Sequence, residues 1–409
     1  MNFFFTAIKN FFPKKFIKFD PKLLFYGFSI IFFASYGQTF FISIFNQEIR
    51  IFYNLSDGQF GLIYALGTLF SSLCLVFFAK LIDTVDLRIY SFSISLGLAL
   101  TCLSFYILNN SLFFLFIIIF LLRFFGQGAM AHAGETTMAR YFEENRGKAI
   151  SFATFGGQIG VMILPILTVT LLKVFTWSLV WIIAGTTILF IFLPLLFFLL
   201  NDQKERHFLF LKKNKISENN KKLKILDILS DKKFYLYLPT SIAAPFISTG
   251  LMFHQVFIIN QKGWTMSLLA TGFVFLGIFS IAGLFVGGPI IDKFNTKKIV
   301  ILTHIPLFFG ILILLTFNDY VFLFFYLSLF GFHMGISFPI IGSLWAELYD
   351  LESLGTIKGI LHASAVFASA LSPLIFGFSI DLGFGVFTLC LISLLIIIFS
   401  TFLAYIAIK

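Results

Sequence analysis

The chain has 409 residues, of which 59% are hydrophobic and only 12% charged, with a net charge of +10. Soluble domains carry about 25% charged residues, so a water-soluble globular protein is excluded, and with it a disordered chain or a disulfide-stapled secreted one. The length accommodates about a dozen membrane-spanning helices, each needing about 20 apolar residues and a short loop.

The start, residues 1–22, is a short Phe-rich basic stretch with no small-residue cleavage site. It reads as a cytoplasmic N-terminal segment able to lie on the inner membrane surface. Twelve apolar runs follow, bounded by charges, Gly, Pro or Asn: 23–46, 59–80, 88–108, 112–139, 148–173, 177–200, 236–260, 265–290, 297–316, 320–346, 356–380 and 384–407. The one long polar stretch, 201–235, divides them into two sets of six. The expected organisation is therefore an N-terminal bundle over 23–200, a cytoplasmic central loop over 201–235, and a C-terminal bundle over 236–409. Cys74, Cys102 and Cys390 all sit inside apolar runs without disulfide or metal spacing, and read as buried small hydrophobes.

Basic residues set the orientation. With the N-terminus in the cytoplasm, 25 of the 29 Lys and Arg fall on the cytoplasmic side. Arg50, Lys173 and Lys262 fall outside, and Arg123 lies within a span. This bias predicts a multi-pass protein of the cell (inner) membrane with both termini cytoplasmic. It also accounts for the positive charge without nucleic acid, and suits the central loop to anionic lipid headgroups at the inner face. No P-loop, HExxH or Cys/His ligand cluster occurs, and no polar segment is long enough to bury its own core. No enzymatic activity, cofactor or metal is expected.

The halves superpose in sequence at a spacing of about 208 residues, a pattern of parallel repeats. Asp83 corresponds to Asp292, Pro165 to Pro373, Gln47 to Gln255, and Tyr141 to Tyr349. Such repeats predict two pseudo-symmetric six-helix bundles with a substrate path between them and alternating access by rocking. One chain supplies the complete two-bundle unit, so a monomer is expected.

The loop after the second run reads Ala79-Lys80-Leu81-Ile82-Asp83-Thr84-Val85-Asp86-Leu87-Arg88, and its repeat reads Gly288-Pro289-Ile290-Ile291-Asp292-Lys293-Phe294-Asn295-Thr296-Lys297. Together with the Arg-then-Gly helix Leu122-Arg123-Phe124-Phe125-Gly126-Gln127-Gly128 and the Arg146-Gly147-Lys148-Ala149 entry to the fifth run, the chain resembles the major facilitator superfamily of secondary transporters over essentially its whole length. The family's loop pattern is G-x-L-x-D-R-x-G-R-R/K. Leu81, Asp83 and Arg88 match the first copy, where Thr84 replaces the usual basic residue; Gly288, Asp292, Lys293 and Lys297 match the second.

The resemblance implies a cytoplasmic gate. Asp83 would face the start of the eleventh span near Gly355 and Thr356, where a helix N-terminus stabilises a carboxylate by about 0.3–1 kcal/mol. Arg140 would be its charge partner and Arg88 part of the same loop. In the second copy Asp292 would face the start of the fifth span, with Lys293, Lys297 and Glu347 nearby. Ordinary solvated loop charges are the alternative.

Deep polar residues are the candidates for a substrate or proton pathway. Arg123 lies about 11 residues into its span, or about 17 Å from the outer edge, close to the midplane. Such an Arg costs at least about 2.5–3.5 kcal/mol, so it should face the bundle interior. Two roles stay open: binding an anion or coupling to a proton, or a structural tie to helix carbonyls. Gln127 shares its face at α-helical period, while Glu135 lies about 120° round. Tyr36 and Gln38 in the first span, Gln158 in the fifth, and His254 and Gln255 in the seventh mark other polar faces. In the family the first, fourth, fifth, seventh, eighth, tenth and eleventh spans line the cavity, which implicates His333 and His362 as well. His207 and His304 are expected to be unremarkable.

The reading is thus an all-α integral membrane protein, a secondary transporter of a small solute, expected to be an organic anion and open to proton coupling. The lack of a Gly-Pro pair in the fifth span and of a central acid in the first disfavours a drug/proton antiporter. Two alternatives stand beside it: a drug or metabolite exporter of the same fold, and a non-transporting sensor on that scaffold.

Overall fold

The computed structural model describes residues 19–107, 110–142, 145–213, 228, 230–349 and 354–408, and among these the regular structure is entirely helical. Eleven helices are long and apolar enough to cross a membrane, and a bent pair supplies a twelfth. The bent pair, Pro21–Gly37 with Thr39–Tyr53, is span 1. Spans 2 to 6 are Asp57–Asp83, Leu87–Ile107, Leu112–Tyr141, Arg146–Leu171 and Trp177–Leu199. Span 7 is Lys232–Phe253, and spans 8 to 12 are Met266–Ile291, Thr296–Thr316, Val321–Leu348, Gly359–Asp381 and Val386–Ile408. The apolar runs therefore become twelve spans in the expected order. The basic start of the chain, through residue 18, lies outside the described residues.

Three features depart from unbroken runs. Span 1 starts cleanly, with Asp20 accepting a hydrogen bond from the Leu23 N–H at 3.0 Å and Pro21 in the first turn, where its missing N–H costs nothing. It then tightens at Ser35–Gly37 and breaks at Gln38, whose backbone is extended (φ −84°, ψ 153°). The halves meet at 43°. Span 7 likewise breaks at His254, and a second helix, Gln255–Lys262, runs on to Gly263, which holds the left-handed C-terminal position (φ +70°). The third departure is a helix, Gln203–Lys213, within the stretch read as a central loop. Arg206 grips Asp20, Gln203 donates to the Tyr141 hydroxyl at 2.8 Å, and Lys22 pairs with Asp202. Tertiary contacts hold a helix there that apolar periodicity does not announce.

The chain divides into two compact units. The first comprises Met1–Ile42, Phe70–Leu164 and Thr170–Glu218; the second comprises Ser43–Leu69, Pro165–Val169 and Asn219–Lys409. In the first unit, span 1 packs backbone to backbone on its neighbours. A Cβ added at Gly37 would overlap the Leu122 carbonyl of span 4, and one at Gly156 would overlap the Phe28 carbonyl from span 5. Small residues are what allow such approach between helices in a membrane. In the second unit, spans 8 and 10 meet the same way at Gly283, Gly331 and Gly335. Phe234, Tyr237, Leu344 and Trp345 form a core where span 7 meets span 10.

Candidate functional site

In the first unit two irregularities meet. Opposite the break in span 1, span 4 runs as a π-helix over Arg123–Met130, a feature that frequently marks functional sites. Arg123 opens that segment and is 1% exposed. Its Nη1 donates to the Gly37 carbonyl at 3.1 Å and to the Thr39 hydroxyl at 3.4 Å. The broken helix frees a carbonyl, and the guanidinium takes it. Gly37 and Gly126 allow this approach, because a Cβ on either would collide with the other's backbone.

The other expected residues of this unit distribute around that centre. Gln38 sits at the break and is half-buried, as is Gln127 on the π-helix. Tyr36 is buried and turns to span 6, its hydroxyl sharing a 3.0 Å hydrogen bond with Thr187. Gln158 keeps a buried Oε1 without a hydrogen-bond partner. Glu135 is exposed, one turn beyond the π-helix. The extra residue of a π-turn shifts the phase of the helix beyond it by about 100°, so faces counted from Arg123 at uniform α-helical period do not extend to Glu135.

At the C-terminal end of span 4, Arg140 Nη2 is paired with Asp83, and its Nη1 donates to the Ile82 carbonyl at 3.0 Å. Arg88 turns to Asp86 instead, with Nε and Nη2 at 3.1 and 3.0 Å from its two oxygens, while Asp86 caps span 3 by accepting from the Arg88 N–H. This contact holds the Asp86 carboxyl below the usual range. The side chains of Asp292, Gly355 and Thr356 lie outside the described set. Of the second copy, Lys293 is exposed, the Lys297 N–H is capped by Asn295 at 3.0 Å, and Glu347 accepts from Thr296. The repeat-related Tyr141 and Tyr349 both bond outside their own spans, to Gln203 and His207 in one case and to Asp231 at 2.8 Å in the other.

The second unit holds a cluster of which the sequence reading marks only His254 and Gln255. Span 2 begins with a capping box: the Gln59 N–H donates to Ser56 Oγ at 3.1 Å, and the Ser56 N–H donates to Gln59 Oε1 at 3.0 Å. Onto the same helix start comes Asp381, from the end of span 11. It accepts from Ser56 Oγ at 2.7 Å, Asp57 N at 3.1 Å and Gly58 N at 2.9 Å. Asp57 itself is paired with Arg50 at 2.8 Å, and Arg50 Nε donates to Asn46 at 2.8 Å. Asn46 donates in turn to the Phe253 carbonyl at 3.2 Å, next to the break in span 7. There His254 is 1% exposed, with Nε2 at 2.9 Å from the Pro373 carbonyl and Nδ1 at 3.5 Å from Asp57 Oδ1. Gln255 donates to Ser43 at 2.8 Å. The C-terminal part of span 1 and the start of span 2 are thus tied to spans 7 and 11. Ser56-Asp57-Gly58-Gln59 carries the one legible signal, a capping box; Arg50 enters the sequence reading only through the charge bias, and Asp381 does not enter it.

His333 lies elsewhere in this unit. Its Nδ1 faces the Thr303 carbonyl at 2.9 Å and the Ser337 hydroxyl at 3.0 Å. Its ring is 5.2 Å from that of His304, which bonds the Thr240 carbonyl at 3.0 Å. His362 is exposed on span 11.

A dozen apolar helices, one of them bent at a break beside a buried arginine, make a multi-pass membrane protein in which protein groups satisfy the broken backbone. The sequence profile of the Major Facilitator Superfamily matches residues 27–373, and the chain belongs to that family. No curated protein matches it in sequence. Among solved structures it is similar to a bacterial homologue of the human lysosomal transporter Spinster, in an inward-facing and unoccupied conformation. The two share 14% identity over 94% of each chain with a TM-score of 0.62, a likeness of fold.

Proposed function

We propose that this membrane transporter carries a small organic anion across the cell (inner) membrane by alternating access, with both termini in the cytoplasm. The observation that supports the reading is Arg123, a fully buried guanidinium where a broken helix and a π-helix meet. Arg does not lose its charge in proteins. A permanent cation near the midplane favours an anionic cargo group, and the Gly37 and Thr39 contacts hold the guanidinium in place between transport events. Gln38 and Gln127 supply neutral hydrogen-bonding groups beside it. In this reading the Asp83–Arg140 pair steadies the inner end of the N-terminal bundle, and the outer cluster around Asp57 closes the other side.

A thermal-shift screen of the purified chain against small carboxylates, sugars, amino acids and hydrophobic cations tests it. A ligand that binds only the folded state adds about 2.7 kcal/mol at 100-fold its Kd. Stabilisation by a carboxylate that disappears in Arg123→Gln, followed by loss of uptake of that carboxylate in vesicles, is the expected outcome. Stabilisation by hydrophobic cations alone would replace this reading with that of an exporter. Binding without flux would make the chain a sensor.

A further inference from the structure

Hydrogen-bond accounting at His254 leaves one place unfilled. A carbonyl oxygen only accepts, so the 2.9 Å contact between Nε2 and the Pro373 carbonyl requires the proton on Nε2. In neutral imidazole Nδ1 is then a bare lone pair. It faces Asp57 Oδ1 at 3.5 Å, and a carboxylate oxygen also only accepts. Both atoms are buried and neither has a hydrogen-bond partner. Two acceptors are thus held face to face in a site from which solvent is excluded. Buried polar groups without partners are rare and costly. One proton on Nδ1 resolves both at once, creating a charge-assisted hydrogen bond to Asp57.

The charges of the cluster favour the same step. Among the described residues, the titratable or charged groups around His254 are Asp57 from span 2 and, through Asp57, Arg50 from span 1 and Asp381 from span 11. Glu48 precedes Arg50 by two residues and so points to the other side of its helix. Lys262, further along, is engaged by the Phe317 carbonyl and Asn318. With His254 neutral, Arg50, Asp57 and Asp381 leave one net negative charge; one added proton cancels it.

We propose that the space between His254 Nδ1 and Asp57 Oδ1 is a binding site for a single proton, and that its occupation holds spans 1, 2, 7 and 11 together at their outer ends. Taking up the proton tightens the closed arrangement; losing it returns two facing acceptors and loosens the Asp381 cap on span 2. The site would make outer closure depend on the pH of the outer solution. This deepens the transport reading by naming the coupling ion and its residues, and it rests on the reading that the chain alternates access.

Hydrogen–deuterium exchange of the full-length protein, read on peptides covering residues 56–60 and corrected for the intrinsic pH dependence of exchange, tests the site. The Asp57 and Gly58 amides donate to Asp381 only while the outer ends are together. Between about pH 8 and about pH 5 their protection should rise about tenfold or more, the scale of one charge-assisted hydrogen bond. In His254→Gln that rise should vanish. Asp57→Asn offers a side-chain N–H to the bare Nδ1, so it should remain protected at both pH values. Nitrogen-15 spectra of labelled histidine, with the His254 resonance identified by its loss in His254→Gln, should show the Nε2–H tautomer at high pH and both nitrogens protonated at low pH. An Nδ1–H tautomer at high pH, protection independent of pH in the wild type, or an unchanged pH response in His254→Gln would each overturn the proposal. None of these readouts uses a substrate, so failure here leaves the assignment of Arg123 standing, and failure of the anion assignment leaves this site standing.

Discussion

Span 2 begins at one aspartate and finishes at another, and each is paired with an arginine, yet the two pairs differ in kind. Asp57 has a side chain 9% exposed and Asp83 one 63% exposed. An exposed pair contributes about 0–1 kcal/mol, because water screens it and two long side chains must be ordered. A buried pair is costly to assemble, and breaking it by removing one partner costs about 3–5 kcal/mol. The Asp57 pair is also linked by hydrogen bonds to two other spans, through Asn46 to span 7 and through Asp381 to span 11, with His254 Nδ1 facing Asp57 at 3.5 Å. Among the described residues, Asp83 is paired with Arg140 of span 4 in the first unit. One pair is suited to make and break freely, the other to change only when something releases it.

The sharpest way to break the comparison is to delete each carboxylate. Asp57→Ala should destabilise the protein by about 3 kcal/mol, the lower end of the buried-pair range since Arg50 keeps some contact with solvent, and Asp83→Ala by less than about 1 kcal/mol. Thermal unfolding of both variants in the same detergent reads the difference; equal shifts would show that burial does not separate the pairs. Next in size is the backbone contact behind the outer cluster. A Cβ on Gly61 would overlap the Pro373 carbonyl, whereas one on Gly147, at the inner start of span 5, meets nothing within 4 Å. Gly61→Ala should cost about 1–3 kcal/mol by overpacking, and Gly147→Ala should be neutral or stabilising by up to about 1 kcal/mol through helix propensity.

Asp83→Asn should leave folding and equilibrium ligand binding largely intact while slowing flux in vesicles; unchanged flux would remove Asp83 from the gate. The smallest effect concerns Asp86. Its carboxyl is lowered by the Arg88 contact and by the span 3 N-terminus, so its folded value lies below its unfolded one. Its stabilising contribution is therefore complete above about pH 4, the ordinary Asp value, and fades as pH falls through the lowered folded value. Asp86→Asn should flatten that acid limb slightly, visible as a smaller loss of melting temperature below pH 4.

These contrasts also mark what the chain's sequence disclosed. The twelve spans followed from runs of apolar residues, and the burial of Arg123 followed from the cost of leaving a guanidinium against lipid. The pairing of Asp83 with Arg140 was implied by the family resemblance rather than by local pattern, and the two side chains do pair. The break at Gln38 and the burial of Asp57 were not legible. Gln38 breaks the helix because Gly37 must meet Gly126, a contact 89 residues away along the chain. Asp57 and Asp381 look like loop charges at helix ends; only the approach of distant spans removes them from water. The helix at Gln203–Lys213 was missed for the same reason, since Asp20 and Tyr141 hold it. In each case what local pattern missed was fixed by tertiary contact.

The π-helix in span 4 has a mechanical consequence. It carries surplus chain, wound more loosely than the helix on either side. Were that surplus to move along the helix or be expelled, every side chain on its C-terminal side would turn about the axis by about 100° per inserted residue, while the apolar half before it stayed in place. Arg140 lies on the turning half and Arg123 at its boundary. Span 4 is therefore built like a screw with one loose thread, in which a small slip near the midplane would redirect a charge three turns away.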